Sequence, residues 1–87
     1  MNKKIKQEIT SMREQFGWDQ TDTIEFMVSC LLEEAQELQD SLNEDEAAFK
    51  KELADVFMYA LSIVYDKNYD LESIILDKIE EVKKREY

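Results

Sequence analysis

Acidic residues are abundant in this chain, but Glu34, Glu37, Glu52 and Asp55 stand where a purely solvating charge is not expected. Glu34 and Glu37 are three residues apart, as are Glu52 and Asp55, so on a helix each pair projects from one patch. With Leu31 as the centre of the surrounding apolar stripe and an advance of ~100° per residue, Glu34 lies only ~60° from that centre. Glu37 follows one step further round. Glu52 projects between Ile63 and Tyr59, at the margin of the apolar arc of its own segment. If the two segments are antiparallel helices joined near Asn43, the two carboxylate pairs face each other. The competing reading is that these pairs are solvated decoration, as most acidic pairs at this spacing are.

Four carboxylates crowded beside a core repel one another and resist ionisation. Either a proton or a bound cation relieves this. Hard oxygen ligands favour magnesium, manganese or calcium. The chain contains no histidine, which disfavours iron sites built from Glu-x-x-His pairs. Zinc is disfavoured on the same ground, with Cys30 as the only thiol. Without a histidine partner, Cys30 reads better as a small core residue than as a nucleophile.

The elements that must position these groups are helices. The chain has no proline and one glycine, Gly17, so turn signals are scarce. A first helix is expected over about residues 3 to 16 from the recurrence of Ile5, Ile9, Met12 and Phe16, with Gly17 as its C-terminal cap. Trp18 to Thr21 reads as a connecting turn. A second helix begins near Asp22, with Glu25 completing a capping box, and carries Ile24, Met27, Val28, Leu31, Ala35, Leu38 and Leu42. Asn43 is placed to cap a third, with Glu46 three residues on. That third helix is apolar over a wide arc, so it is expected to be the most buried. It ends around Asp66 to Asn68, and Asp70 caps a fourth with the stripe Leu71, Ile75, Ile79 and Val82. The expected class is all-α, four-helix bundle-like, with residues 1 to 87 forming a single domain.

The bulk properties bound the function. A balance of 21 acidic against 11 basic residues, net −10, argues against binding a nucleic acid polymer through a broad basic surface. No apolar run is long enough to span a membrane. A single cysteine and no signal peptide lead to the expectation of a reducing, cytoplasmic setting. With 44% hydrophobic residues the chain is not a disordered acidic tail. Four amphipathic helices in 87 residues leave apolar surface to bury, so self-association is expected. Phe57, Met58 and Leu61 add apolar surface away from the Val56 line.

Leu32 to Leu38, followed by Glu52-Leu53-Ala54-Asp55-Val56, resembles the Glu-Glu-x-x-Glu … Glu-x-x-Asp signature of the MazG-like pyrophosphohydrolases. Trp18-Asp19-Gln20 and Thr23 resemble the segment that precedes that signature. The resemblance implies hydrolysis of nucleoside triphosphates to the monophosphate and pyrophosphate. It implies magnesium, replaceable by manganese, on Glu34, Glu37, Glu52 and Asp55, with Glu33 in a supporting role or simply facing solvent. It also implies a homodimer or homotetramer.

Lys78 matches a family lysine and lies on the apolar stripe among Leu71, Ile74, Ile75 and Val82, with Arg85 one heptad later. Phosphate contact is expected of Lys78 and stands level with the alternative for Arg85, namely stems lying on apolar surface with charges in water. Trp18 resembles an aromatic that walls the nucleobase, and Tyr59 could reach the ligand through its hydroxyl; core packing is the alternative for each. Val82 departs from the asparagine of many relatives, which places ligand contacts there in question. The rival to an enzyme is a non-catalytic, partner-binding or regulatory helical module that retains the acidic site.

Overall fold

The computed structural model describes residues 3–85. The architecture is all-α. Helix α1 spans Lys3–Gln15, α2 Trp18–Thr21, α3 Ile24–Asp40, α4 Glu46–Asp66 and α5 Leu71–Lys83, with a 3₁₀ turn at Ser41–Asn43 between α3 and α4. The short connection after α3 makes α3 and α4 an antiparallel hairpin. These two helices pack along each other more extensively than any other pair, and α1 lies against α2 and α4. No described helix is long and apolar enough to cross a membrane.

The helix ends follow local hydrogen-bond chemistry, and three differ from expectation. Thr23, not Asp22, caps α3, accepting from the Phe26 N–H at 3.1 Å. Asp45, not Asn43, caps α4, accepting from the Ala48 N–H at 2.9 Å. Asn43 is instead the last residue of the 3₁₀ turn, where Ser41 donates to the Leu38 carbonyl at 2.7 Å and is itself fully buried. Trp18 to Thr21, expected as an open turn, closes one helical turn through the Asp22 N–H to the Trp18 carbonyl. Asp70 caps α5 as expected, accepting from the Ser73 N–H.

Gly17, at φ 73°, ends α1 in the left-handed conformation that glycine adopts without steric cost. Asn68 does the same for α4 at φ 58°. Its N–H bonds the Tyr65 carbonyl and the next N–H, of Tyr69, bonds that of Val64. This pair of bonds is a Schellman termination, with asparagine taking the usual glycine position.

The core is small. Ile9, Met27, Leu61 and Val64 are the buried apolar residues among those described, while fifteen large hydrophobic residues are exposed. Leu61 was expected on an outward arc, but α4 buries it; Phe57 faces outward and Met58 lines a groove with Ile5, Ile9 and Met12. Helix α4 does hold the most buried residues, as its wide apolar arc requires. Helix α5 buries none, and Ile74, Ile75, Leu76, Ile79 and Val82 are all exposed. The radius of gyration is 14.9 Å, against about 12 Å for a compact domain of this length. The excess and the bare stripe of α5 agree: the single chain does not finish its own core.

Candidate metal centre

Helices α3 and α4 bring the expected carboxylates together. Glu34, Glu37 and Glu52 each offer an oxygen, and these oxygens lie within 4.8 Å of one another. The placement follows from the hairpin. Residues three apart on α3 share one patch, and Glu52 on the antiparallel α4 comes opposite them. Asp55, one turn further along α4, lies outside that tight group, but its charge acts on both Glu34 and Glu52.

The electrostatics are those of a site built without its counter-charge. Glu34 and Glu52 are half-buried, and each has one oxygen, Oε2, closed off from solvent with no hydrogen-bond partner. Burial, then the contact with Glu37 and the charges of Asp55, Glu37 and Glu52, push the Glu34 carboxyl up to about 7. Glu52 is also raised, first by burial and then by Glu37 and Asp55. Two carboxylates cannot hydrogen-bond unless a proton sits between them. The contacts of Glu37 with its two neighbours are therefore favourable only when the cluster holds a proton or a cation. Among the described residues, Arg13 pairs with Asp66, Lys83 with Glu80, and Lys78 and Arg85 with Glu81, none of them one of these carboxylates.

An all-oxygen donor set with orphaned, buried lone pairs fits a hard divalent cation. Magnesium and manganese both meet that chemistry, and the lack of nitrogen or sulfur donors disfavours softer metals.

Tyr59, one turn beyond Asp55, is half-buried beside this cluster. Burial, the Cys30 thiol, and the charges of Glu34 and Asp22 push its hydroxyl up to about 12, so it remains a donor at all ordinary pH. Glu33 is on the exposed side of α3. Trp18 is partly exposed and stacks on Phe16, with centroids 4.8 Å apart and planes 26° apart.

Lys78 and Arg85 do not join the carboxylates within this chain. Lys78 is exposed and pairs with Glu81 at 3.2 Å, and Arg85 pairs with the same Glu81 oxygen at 3.0 Å. Lys78 does sit among Ile74, Ile75, Ile79 and Val82, which line one shallow groove along α5.

Sequence reasoning missed Arg13, which is buried and paired with Asp66 at 3.6 Å. The signal was present: Arg13 falls four residues after Ile9 and three before Phe16, a charge on an apolar stripe, as with Lys78.

The fold and the site define an all-helical protein whose central hairpin gathers carboxylates from two helices into one cluster. The family model for the MazG nucleotide pyrophosphohydrolase domain matches residues 22–86, and the chain belongs to that family. The matched span takes in all four carboxylates and begins after α1 and α2. No curated protein and no solved structure gives a significant match to the chain.

Proposed function

We infer that this protein hydrolyses ribo- or deoxynucleoside triphosphates to the monophosphate and pyrophosphate, with magnesium held by Glu34, Glu37, Glu52 and Asp55. Manganese is the expected substitute. The observation that carries the reading is the convergence of three carboxylates from two helices with two buried, unpartnered oxygens. Membership of a pyrophosphohydrolase family supplies the reaction. When bound, the cations would bind triphosphate oxygens and lower the pKa of a water for attack on phosphorus.

The chain's own groups have distinct tasks in this reading. Glu37 ties the α3 pair to the α4 pair, since it contacts both Glu34 and Glu52. Asp55 adds the fourth oxygen donor. Glu33 supports the α3 pair. Tyr59, held protonated, donates to the bound nucleotide, and Trp18 offers a flat face to its base. Lys78, with Arg85 as a second candidate, neutralises phosphate charge as the bond breaks.

The position of Lys78 ties this reading to self-association. Helix α5 buries no residue of its own chain and presents Ile75, Ile79 and Val82 to solvent around Lys78. A second copy covering that stripe would both finish the core and bring Lys78 toward a carboxylate cluster. The active form is thus a homodimer or homotetramer.

The alternative is a non-catalytic helical module that keeps the cation site. The pairing of Lys78 with Glu81, and Val82 in a position often held by asparagine in relatives, favour it. Incubation with a panel of triphosphates and magnesium decides between them. Pyrophosphate release that is abolished by Glu37→Gln or Asp55→Asn supports the enzyme. A folded, magnesium-binding protein that releases pyrophosphate from no nucleotide would be the non-catalytic module.

A further inference from the structure

Arg13 is the one buried charged residue among those described, 7% exposed. Its carboxylate partner, Asp66 at the end of α4, stands 3.6 Å from Nη2 and keeps about a third of its side chain in solvent (34% exposed). The Nε and Nη2 atoms, the side-on fork of the guanidinium, have no hydrogen-bond partner, and neither has the Tyr65 hydroxyl. Arg13 and Tyr65 line a cavity of about 210 Å³ with Ile9, Thr10, Asp19 and Asp66. The fork therefore has room to close on Asp66 or to bridge to it through water.

Stability is a poor account of this arrangement. A buried ion pair is on balance no better than apolar residues of the same volume, and where α1 packs on α4 the chain already buries Ile9 of the one and Leu61 and Val64 of the other. A buried guanidinium that must stay within reach of one carboxylate adds a positional constraint that apolar contact lacks. Only one rotation and one slide of α1 along α4 set position 13 against position 66. The segment after α1 takes its place from that register. Phe16 lies three residues on, stacked on Trp18, and Gly17 turns the chain sharply between them. Both rings are partly exposed. Helix α2 then ends at Asp22, whose charge acts with that of Glu34 on Tyr59. Asp22 leads directly through the cap Thr23 into α3, the helix that carries Glu34 and Glu37.

We propose that Arg13 is a positioning residue: its pairing with Asp66 locks the register of α1 and so holds the Phe16–Trp18 stack as a platform for the base of the substrate. This rests on the reading that the chain hydrolyses nucleoside triphosphates. Stacking on an aromatic face tolerates any base, because every base has a π face. Arg13 touches neither the base nor the phosphates; it acts through where the stack stands.

The test uses the full chain with Arg13→Met, Asp66→Asn and Arg13→Lys. Arg13→Met keeps the buried stem and removes the charge, so the helix stays docked, and circular dichroism checks that it does. The expected result for Arg13→Met is a KM for triphosphate raised about three- to tenfold with kcat within about twofold. Inhibition by tripolyphosphate, which has no base, stays unchanged. Emission of Trp18, the sole tryptophan, shifts to the red as the stack loosens. Asp66→Asn gives the same pattern more weakly, and Arg13→Lys falls between Arg13→Met and the parent chain. An unchanged KM, or a tripolyphosphate affinity that falls in step with it, overturns the proposal. If the parent chain releases no pyrophosphate from any nucleotide, the functional reading is lost. Trp18 emission unaltered by Arg13→Met would then, by itself, overturn the lock.

Discussion

Glu34 of α3 and Glu52 of α4 face each other across the hairpin, each with one buried carboxylate oxygen that no hydrogen bond satisfies. An unsatisfied buried acceptor costs stability, and a charged one costs more. The interior of the hairpin is therefore poised against itself until something positive arrives. This relationship governs how the protein should respond to pH, to metal and to mutation.

The pH response has a definite sign. The folded-state pKa of Glu34 is about 7, against 4.5 for the ordinary group, so between those values the native state binds more protons than the unfolded chain. Stability from this group is fully present below the unfolded value and is lost as pH rises through the folded one. Glu52 is raised in the same direction. Metal-free protein should therefore lose melting temperature steadily between about pH 5 and pH 8. Magnesium should restore most of the loss, with its largest effect at the alkaline end. Differential scanning calorimetry in chelator and in magnesium measures both slopes. A chelator curve that rises across this window would rule out the protonated cluster.

Removing one of the repelling charges should separate stability from function. Glu34→Gln keeps shape and hydrogen-bonding capacity while deleting the half-buried charge whose carboxyl is pushed up to about 7 by burial and its neighbours. The metal-free protein should gain about 1 kcal/mol at neutral pH, a typical gain when strain at a functional site is relieved. The same change should abolish the magnesium-induced shift in melting temperature and lower kcat/KM at least about 100-fold. Glu33→Gln, on the exposed side of α3, should leave the magnesium shift intact. A Glu34→Gln protein that still binds magnesium normally would remove Glu34 from the ligand set.

Helix α5 should reveal whether the chain works alone. Ile75 and Ile79 are exposed in the single chain, 48% and 42% respectively, yet they line the same groove as Lys78. If a second copy covers them, Ile75→Glu and Ile79→Glu should each drive the assembly to monomer by light scattering at micromolar concentration. Pyrophosphate release should fall with it, although neither side chain belongs to the carboxylate cluster. Parent protein that is already a monomer would disconnect α5 from assembly.

Much of this was legible in the sequence, for reasons specific to each feature. The three-residue spacing of Glu34 with Glu37 needed only helical geometry, and Glu52 met them because a short connection forces α3 and α4 to run antiparallel. Helix caps were less legible. Asp22 and Thr23 both offer side-chain acceptors, and so do Asn43 and Asp45; which of them caps depends on where the extended backbone falls. Thr23 and Asp45 hold that backbone. Asn43 does not, because the buried hydroxyl of Ser41 holds the chain in a 3₁₀ turn past it. The fate of α5 was invisible, since an apolar stripe looks the same whether it faces its own chain or another. The spacing of Arg13 from Ile9 and Phe16 marked it as a charge on an apolar stripe, but not that it would be buried, because a long cation there can lay its stem on the stripe and still carry its charge to water.

Asn68 tests how sharply α4 must end. Its φ of 58° is one that residues with a Cβ adopt only at a cost of about 1–2 kcal/mol, a cost asparagine reduces by local hydrogen bonding. The two Schellman bonds, from Asn68 and Tyr69 to the Tyr65 and Val64 carbonyls, depend on that conformation. They also set the direction in which the chain leaves α4 for α5. Asn68→Ala should destabilise the protein by about 1 kcal/mol, while Asn68→Gly should be neutral or slightly stabilising. Urea unfolding of the two variants beside the parent chain measures this. The ordering matters more than the sizes: an alanine variant as stable as the glycine variant would mean that the left-handed turn is not held in solution. Helix α5 would then leave α4 without a fixed direction, and its exposed stripe would have no defined orientation to offer a second copy.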